Sequence, residues 1–503
     1  MTIFLDRHSI KKVHSQKRRG FIRPRTLFLS FLLAMLIFIS LFLVLSNNQL
    51  SFILGGKQIF ITLAGTHPAS CLPVATKYLF GTLETDPARA SQECAAGVRV
   101  ATQTVGWANY ELSDGVFNEA YMDDVKNRIK TDLAAGMKVV ISPAIHYPPR
   151  WVMNLQGARY INQYGVPAPV SAIDGFEEPN FIFSQTVRDR VARFETRVMQ
   201  KLAADPDIGL NNIWAVRYVN GPEGETLYPS ANDRQGHTNS YWAYDLNAQG
   251  QASNRPASIP ASPFPGWKPG EKAYASKPFS PTQVQQWYHW YLSAHTDFVN
   301  WHTQLYRDSH GINYQGYLQL LTPGFGTRAF EYTGSLANHL DGSHDPNATM
   351  ARAAVWYKLF PALKNRTRIV AYVSSMADGS GSPANNGCRG GEYRVDYTAD
   401  PQVNNWSAVR YISGLADKYG MPKNGENPGS KDLHTRGSQN QGLEVLQASA
   451  AQMQSCHFQG MFWAHDENLY DGTIGVTLHD YAKIITQYNS LSTATPFDSP
   501  HRP

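Results

Sequence analysis

Three successive stretches, Gly97–Val105 (GVRVATQTV), Tyr121–Ala135 (YMDDVKNRIKTDLAA) and Met137–Ile145 (MKVVISPAI), read as strand, helix and strand. Apolar residues of the middle stretch recur at helical spacing, and Gly136 stops it. The second strand breaks at His146, Tyr147, Pro148 and Pro149. A helix that carries the chain from one strand to a parallel neighbour is the repeating unit of α/β folds.

Downstream the unit recurs. Residues 182–203 (IFSQTVRDRVARFETRVMQKLA) form an amphipathic helix that leads into the strand Ile213–Val219 (IWAVRYV). Residues 228–281 are rich in Ser, Pro, Gly, Asn and Gln without periodicity, which predicts a long lid or binding loop. A helix follows over Thr282–Arg307, then strands at Tyr317–Leu321 (YLQLL) and Arg368–Val373 (RIVAYV), with a helical region around Met350–Leu363 between them. Another helix covers Asn404–Tyr419, a short strand reaches Glu426, and a last strand is Gly460–Ala464 (GMFWA). With Lys57–Ala64 (KQIFITLA) as a poorly marked first strand, the count closes a (β/α)8 TIM barrel over residues 57–495, with a tail at 496–503.

The N-terminal residues are of another kind. Leu27–Leu45 (LFLSFLLAMLIFISLFLVL) is uncharged and, at about 1.5 Å per helical residue, nearly matches a hydrocarbon core of roughly 30 Å. Arg7, Lys11, Lys12, Lys17, Arg18, Arg19, Arg23 and Arg25 precede it against the single acid Asp6. The expected arrangement is a basic cytoplasmic tail (1–26), a transmembrane signal anchor (27–46), a linker (47–56) and an extracytoplasmic barrel, making a single-pass membrane protein. A cleaved signal peptide is the alternative, although Leu43–Leu50 (LVLSNNQL) offers no small-x-small cleavage site. The formal charge of +5 comes from 45 basic and 40 acidic residues; without the tail's eight bases and one acid, 37 stand against 39. Basicity thus belongs to the tail, and no nucleic-acid surface is expected.

Cys71, Cys94, Cys388 and Cys456 all follow the span, so two disulfides are allowed, most simply Cys71 with Cys94 and Cys388 with Cys456. Buried free thiols are the bland alternative. Sequons at Asn347, Asn365 and Asn405 also arise by chance and decide nothing. There is no His-Glu-x-x-His run, no nucleotide-binding glycine loop and no Gly-x-Ser-x-Gly elbow, and neither metal nor cofactor is expected.

Two glutamates stand where strand-like runs break into glycine and proline: Glu225 in Val219-Asn220-Gly221-Pro222-Glu223-Gly224-Glu225, and Glu426 in Lys423-Asn424-Gly425-Glu426-Asn427-Pro428. In the strand count they follow the fourth and seventh strands, at the C-terminal ends where barrels place catalytic groups. Cleaving a glycosidic bond needs one carboxyl group to protonate the leaving oxygen and a second to attack the sugar or activate water. The pair Glu225 (acid) and Glu426 (nucleophile or base) suits that chemistry. Glu223 is an alternative acid, and Asp466 or Glu467 an alternative partner. Both glutamates also have a plain reading, as solvated acids of ordinary turns.

Trp107, Tyr110, Glu111, Gly115 and Phe117 (WANYELSDGVF), followed by Gly136–Trp151 (GMKVVISPAIHYPPRW), resemble the second and third strand units of glycoside hydrolase family 42 beta-galactosidases and their relatives in clan A. The resemblance implies an acid/base glutamate after the fourth strand and a nucleophile after the seventh. An Asn-Glu pair is usual in the clan at the fourth strand, whereas Asn220-Gly221-Pro222-Glu223 stands here. Gly221-Pro222-Glu223-Gly224-Glu225-Thr226-Leu227-Tyr228-Pro229-Ser230 is more similar to the acid loop of beta-amylases, which selects Glu225. Beta-amylases invert and family 42 retains, so both outcomes stay open.

A sugar ring offers an apolar face to aromatic residues and a hydroxyl edge to polar ones. Trp107, Trp151, Tyr228 and Trp463 are candidates for stacking, each equally readable as core, and His146 and His465 for hydroxyls. Asn220 matches the clan's asparagine on the sugar 2-hydroxyl. The expected function is a membrane-anchored, beta-galactosidase-like glycosidase with a carbohydrate substrate. A catalytically inactive carbohydrate-binding scaffold on the same barrel and a transglycosidase are the rival readings.

Overall fold

The structure is a computed structural model and describes residues 49–54, 57–62 and 76–490 except 172–174, 219–220, 222–223, 308–311, 346, 378–386, 429–440 and 473. The expected anchor Leu27–Leu45 and its basic tail lie outside the described residues. Among the described residues no helix is long and apolar enough to cross a membrane.

The chain divides into two compact units, residues 1–68 and 69–503. In the first, Gln49–Leu54 pairs antiparallel with Lys57–Thr62, Leu54 opposite Lys57. This corrects the sequence reading twice over: a strand occupies the expected linker, and the segment expected to open the barrel is half of a hairpin. Its alternating apolar pattern suits either pairing.

In the second unit eight parallel strands close a barrel: β1 (Leu79–Thr82), β2 (Val100–Gly106), β3 (Lys138–Ala144), β4 (Ile213–Tyr218), β5 (Tyr317–Thr322), β6 (Ile369–Val373), β7 (Lys423–Glu426) and β8 (Gly460–Trp463). β8 returns to β1, with Gly460 opposite Leu79 and Phe462 opposite Gly81. Seven of the eight expected strands are therefore found in place, and the true β1 is only four residues long, too short to show a period.

The principal helices after the strands are α1 (Ala90–Ala96), α2 (Glu119–Ala134), α3 (Gln185–Ala203), α4 (Pro281–Arg307), α5 (Trp356–Ala362), α6 (Ala408–Lys418), α7 (Gln441–Ser455) and α8 (Leu478–Ser490). Their starts follow from capping side chains. Asn118 accepts from Tyr121 N before α2, Ser184 from Val187 N before α3 and Ser407 from Arg410 N before α6. The long β4–α4 loop is not an open strap, because Tyr241, Trp242 and Trp267 are buried, with Trp267 and Tyr241 against Trp287 of α4.

Strand register fixes what fills the lumen. Arg217 lies opposite Gln319, Gln319 opposite Val370, Tyr372 opposite Asn424 and Glu426 opposite Phe462. Advancing two residues at every second strand, as a barrel of this shear requires, groups inward side chains into layers of four. Thr102, Arg217, Tyr372 and Phe462 share one layer; Glu426 stands in the layer above, and Gly81, Gln319 and Asn424 in the layer below. Ring contacts agree: the Arg217 guanidinium lies 4.8 Å from the Tyr372 ring centre, and Tyr372 lies 5.6 Å from Phe462. Gly81 leaves room for that layer, since a Cβ there would come within 2.6 Å of the Phe462 ring.

Two links tie the later part of the chain together. Cys388 and Cys456 form a disulfide with Cα atoms 4.8 Å apart. Cys94 is also disulfide-bonded, and Cys71, its expected partner, lies outside the described residues. At the β8–β1 seam, Glu93 of α1 accepts from Thr82 (3.0 Å) and Tyr470 (3.2 Å). Beside it, Asp466 accepts from Asp86 N at 2.8 Å and pairs with Arg89 at 3.4 Å. Burial first, and the neighbouring Asp466 second, raise the Glu93 carboxyl well above the ordinary carboxylate range, so Glu93 stays protonated at neutral pH.

Removing the Cys388–Cys456 bridge, which closes a separation of 68 residues, is expected to cost about 4 kcal/mol by loss of chain-entropy restraint. Urea unfolding of a Cys388→Ala, Cys456→Ala double variant checks this. Because folded Glu93 holds its proton to higher pH than unfolded Glu93, wild-type stability falls as pH rises above the ordinary carboxylate range toward the folded value. Glu93→Gln, which mimics the protonated form, is expected to flatten that fall in thermal melts taken across the range.

Candidate active site

Glu426 ends β7, with 8% of its surface exposed. Its Oε2 accepts hydrogen bonds from Arg217 Nη2 of β4 at 2.9 Å and from the Tyr372 hydroxyl of β6 at 2.7 Å. Burial disfavours the Arg217 charge, but Glu426 together with Tyr372 and Glu84 outweighs this and raises the guanidinium pKa. Separating such a buried pair by removing one partner costs about 3–5 kcal/mol, because the other charge is left uncompensated. Next to it, Asn427 grips the end of β8: Oδ1 accepts from Ala464 N at 2.8 Å and Nδ2 donates to Ala464 O at 3.1 Å.

Glu225 comes from the loop after β4 and is partly exposed. Its Oε1 accepts from Ser374 Oγ at 2.6 Å. Thr226 N donates to Leu321 O at the end of β5, and Gly224 N to Gly221 O, both at 3.0 Å, which pins the loop across the barrel rim. Gly221 is required there: a Cβ would meet Glu225 O at 2.3 Å and Leu227 O at 2.5 Å. β6 therefore serves both carboxyl groups, Tyr372 holding Glu426 and Ser374 holding Glu225. Tyr372 and Ser374 are two residues apart in the chain, at the end of β6 and just beyond it, so the two acids are brought to one mouth.

Near them stand two histidines whose pKa values shift in opposite directions. His146 is buried after β3, and burial, reinforced by the Arg217 charge, pushes its pKa down to about 3. It is neutral at physiological pH. His465 follows β8, with Nδ1 3.1 Å from Glu84 Oε2. Burial pulls its pKa down, but the Glu84 interaction and the Glu426 charge outweigh that and raise it. Glu84 is lowered in turn, first by His465, and Arg217 adds to the effect.

The remaining expected residues are placed differently. Trp107 is fully buried; its indole donates to Glu111 Oε2 at 2.9 Å and its ring lies 5.6 Å from Phe194 of α3. Glu111 also accepts from Gly115 N (2.9 Å) and from Arg193, and Trp151 donates to its carbonyl (3.1 Å), so the WANYELSDG stretch is a folded structural unit. Tyr228 is buried and stacked on Tyr291 at 4.2 Å, and Trp463 is buried 6.2 Å from Tyr481. Asn220 and Glu223 lie outside the described residues. Of the alternative partners, Asp466 is held in the Glu93 pair at the seam, and Glu467 is exposed.

Sequence reasoning missed Arg217, Tyr372 and Ser374. A signal for the first was available: a lone arginine inside the apolar run IWAVRYV can be buried only with a partner. Tyr372 within RIVAYV looks like any strand aromatic, and Ser374 like the start of a loop.

The sequence matches no family model and no curated protein. Solved structures do share the fold. The catalytic domain of beta-amylase from Paenibacillus polymyxa is 15% identical over 83% of this chain and 99% of that one, with a TM-score of 0.52. Beta-galactosidase from the psychrophilic Marinomonas ef1 is 12% identical over 82% of this chain and 59% of its own, at 0.47. The beta-galactosidase of the Antarctic haloarchaeon Halorubrum lacusprofundi is 14% identical over 84% and 60%, also at 0.47. At such identities the likeness to the beta-amylase domain establishes a shared barrel and nothing finer.

Proposed function

We propose that this barrel hydrolyses glycosidic bonds, with Glu225 as general acid and Glu426 as its partner. The observation that carries the reading is the shared support of both carboxyl groups from β6, in unlike surroundings. Arg217 and Tyr372 both present hydrogens to Glu426, an arrangement that serves a carboxylate acting as an acceptor or nucleophile. Glu225, partly open and touched by a hydroxyl, is the group that can reach a leaving oxygen. The resemblance to family 42 favours retention, with Glu426 as nucleophile, and makes beta-galactosides the first substrates to try. Retention calls for carboxyl groups about 5–5.5 Å apart and inversion for about 6.5–9.5 Å. Leu27–Leu45 would hold the enzyme in a membrane with its barrel on the extracytoplasmic side.

On a panel of nitrophenyl glycosides, Glu225→Gln and Glu426→Gln are each expected to lower kcat by about 10²–10⁴-fold. Glu225→Gln should melt like wild type, whereas Glu426→Gln should melt lower because Arg217 loses its counter-charge. Wild-type turnover surviving in Glu426→Gln rejects the pair. Azide should rescue a Glu426→Gly variant of a retaining enzyme as a glycosyl azide of opposite anomeric configuration. For the anchor, the full chain is expected to stay in membranes through a high-salt wash while a chain beginning at Gln58 is soluble; release of the intact chain by salt alone refutes it.

A further inference from the structure

A polar cavity of ≈ 560 Å³ opens between the β4–α4 loop and the β5–α5 loop, and Ser230, Asn232, Thr238, Asn239, Asp341 and Arg352 are among its walls. Both loops leave C-terminal strand ends, the face that carries Glu225 and Glu426. Ser230 is five residues beyond Glu225, so their Cα atoms are at most about 18 Å apart. The two walls are joined where Tyr228 N donates to Arg352 O at 3.1 Å. Its size falls in the range of ligand sites, about 300–1,000 Å³.

We infer that this cavity is a subsite for a further sugar unit of an oligosaccharide, so that the substrate is a chain and not a single terminal sugar; this rests on the glycosidase reading above. The lining decides the class of ligand. Arg352 brings a guanidinium whose Nε is buried without a hydrogen-bond partner, its plane 5.2 Å from the Phe325 ring. Asn239 Nδ2 donates to Leu340 O at 2.7 Å, which leaves its Oδ1, and Asp341 Oδ1 accepts from Ser343 N (2.9 Å) and Oγ (2.6 Å), which leaves its Oδ2. Asn232 and Thr238 are exposed amide and hydroxyl groups. Donors and acceptors thus face one space, which suits hydroxyl groups, since each both gives and takes a hydrogen bond. The Asp341 and Asp345 carboxylates oppose an anionic ligand, and Arg352 a cationic one. Another cavity, of ≈ 400 Å³, exposes mainly apolar surface, from residues such as Leu155, Ile161 and Leu246, although Arg159, Asp245 and Asn247 also stand at its walls.

The test compares aryl monoglycosides with neutral oligosaccharides of galactose, glucose, mannose and xylose, from dimer to hexamer. In the wild type, kcat/KM is expected to rise with chain length. Arg352→Met and, separately, the exposed Asn232→Ala should each remove about tenfold of that rise through KM, the worth of about one hydrogen bond to substrate. Turnover of the aryl monoglycoside reports the integrity of each fold. Turnover without a chain-length gain, or a gain that both variants keep, overturns the subsite and leaves the hydrolase reading standing. Failure of the wild type to cleave any glycoside in the panel overturns both.

Discussion

A buried charge pair across the barrel governs the arrangement of everything around it. Arg217 and Glu426 come from β4 and β7, strands that are not neighbours, and meet through the lumen at 2.9 Å. Neither can be buried alone without a penalty of several kcal/mol, so the barrel must close in the register that joins them. Tyr372 completes the link, donating to the carboxylate and lying beside the guanidinium, and its layer-mate Phe462 then demands a glycine at position 81 on β1. One polar contact is thereby coupled to the packing of three further strands.

The same pair sets the electrostatics of the mouth. The positive charge of Arg217 helps to keep His146 neutral, while Glu426 and Glu84 together raise His465. A neutral imidazole and one disposed to carry a proton therefore flank the two glutamates on opposite sides, one after β3 and the other after β8. Such unlike environments are how a site assigns different roles to similar groups. Glu93 shows the structural version of this at the β8–β1 seam, where burial and the neighbouring Asp466 raise its carboxyl well above the ordinary range.

Periodicity made the barrel legible wherever strands were long or helices well capped. β3 (KVVISPA) and β4 (IWAVRY) are largely apolar runs, and α2 and α3 start at Asn118 and Ser184 caps. β1 was not legible, because LFGT is four residues with a glycine placed for a partner's ring, while KQIFITLA carries a stronger pattern and folds as a hairpin. Glu225 and Glu426 could be located by counting strands, since the miscounted first strand replaced the true one without changing the total. The roles of aromatics could not: Trp107, Tyr228 and Trp463 end strands or open loops as sugar platforms do, yet each has its ring enclosed by protein. What separates a platform from a core ring is what covers its face, and that is decided by distant residues such as Phe194 and Tyr291.

The two acids also differ in what holds them in place. Glu426 stands on a strand hydrogen-bonded on both sides, so its position is inherited from the barrel. Glu225 stands on a loop, and its position depends on the lack of a side chain at Gly221, on the backbone bond of Thr226 to β5 and on Ser374 at the end of β6. A fold shared at 15% identity with the beta-amylase domain keeps the first kind of restraint, because strand register needs only side chains of suitable size and polarity. The second kind must be rebuilt by each loop sequence. Here the rebuilding extends outward, since Tyr228, three residues past Glu225, is fastened to Arg352 O, the residue whose side chain enters the neighbouring cavity. The wall of that cavity and the segment that carries Glu225 are thus joined by one backbone hydrogen bond.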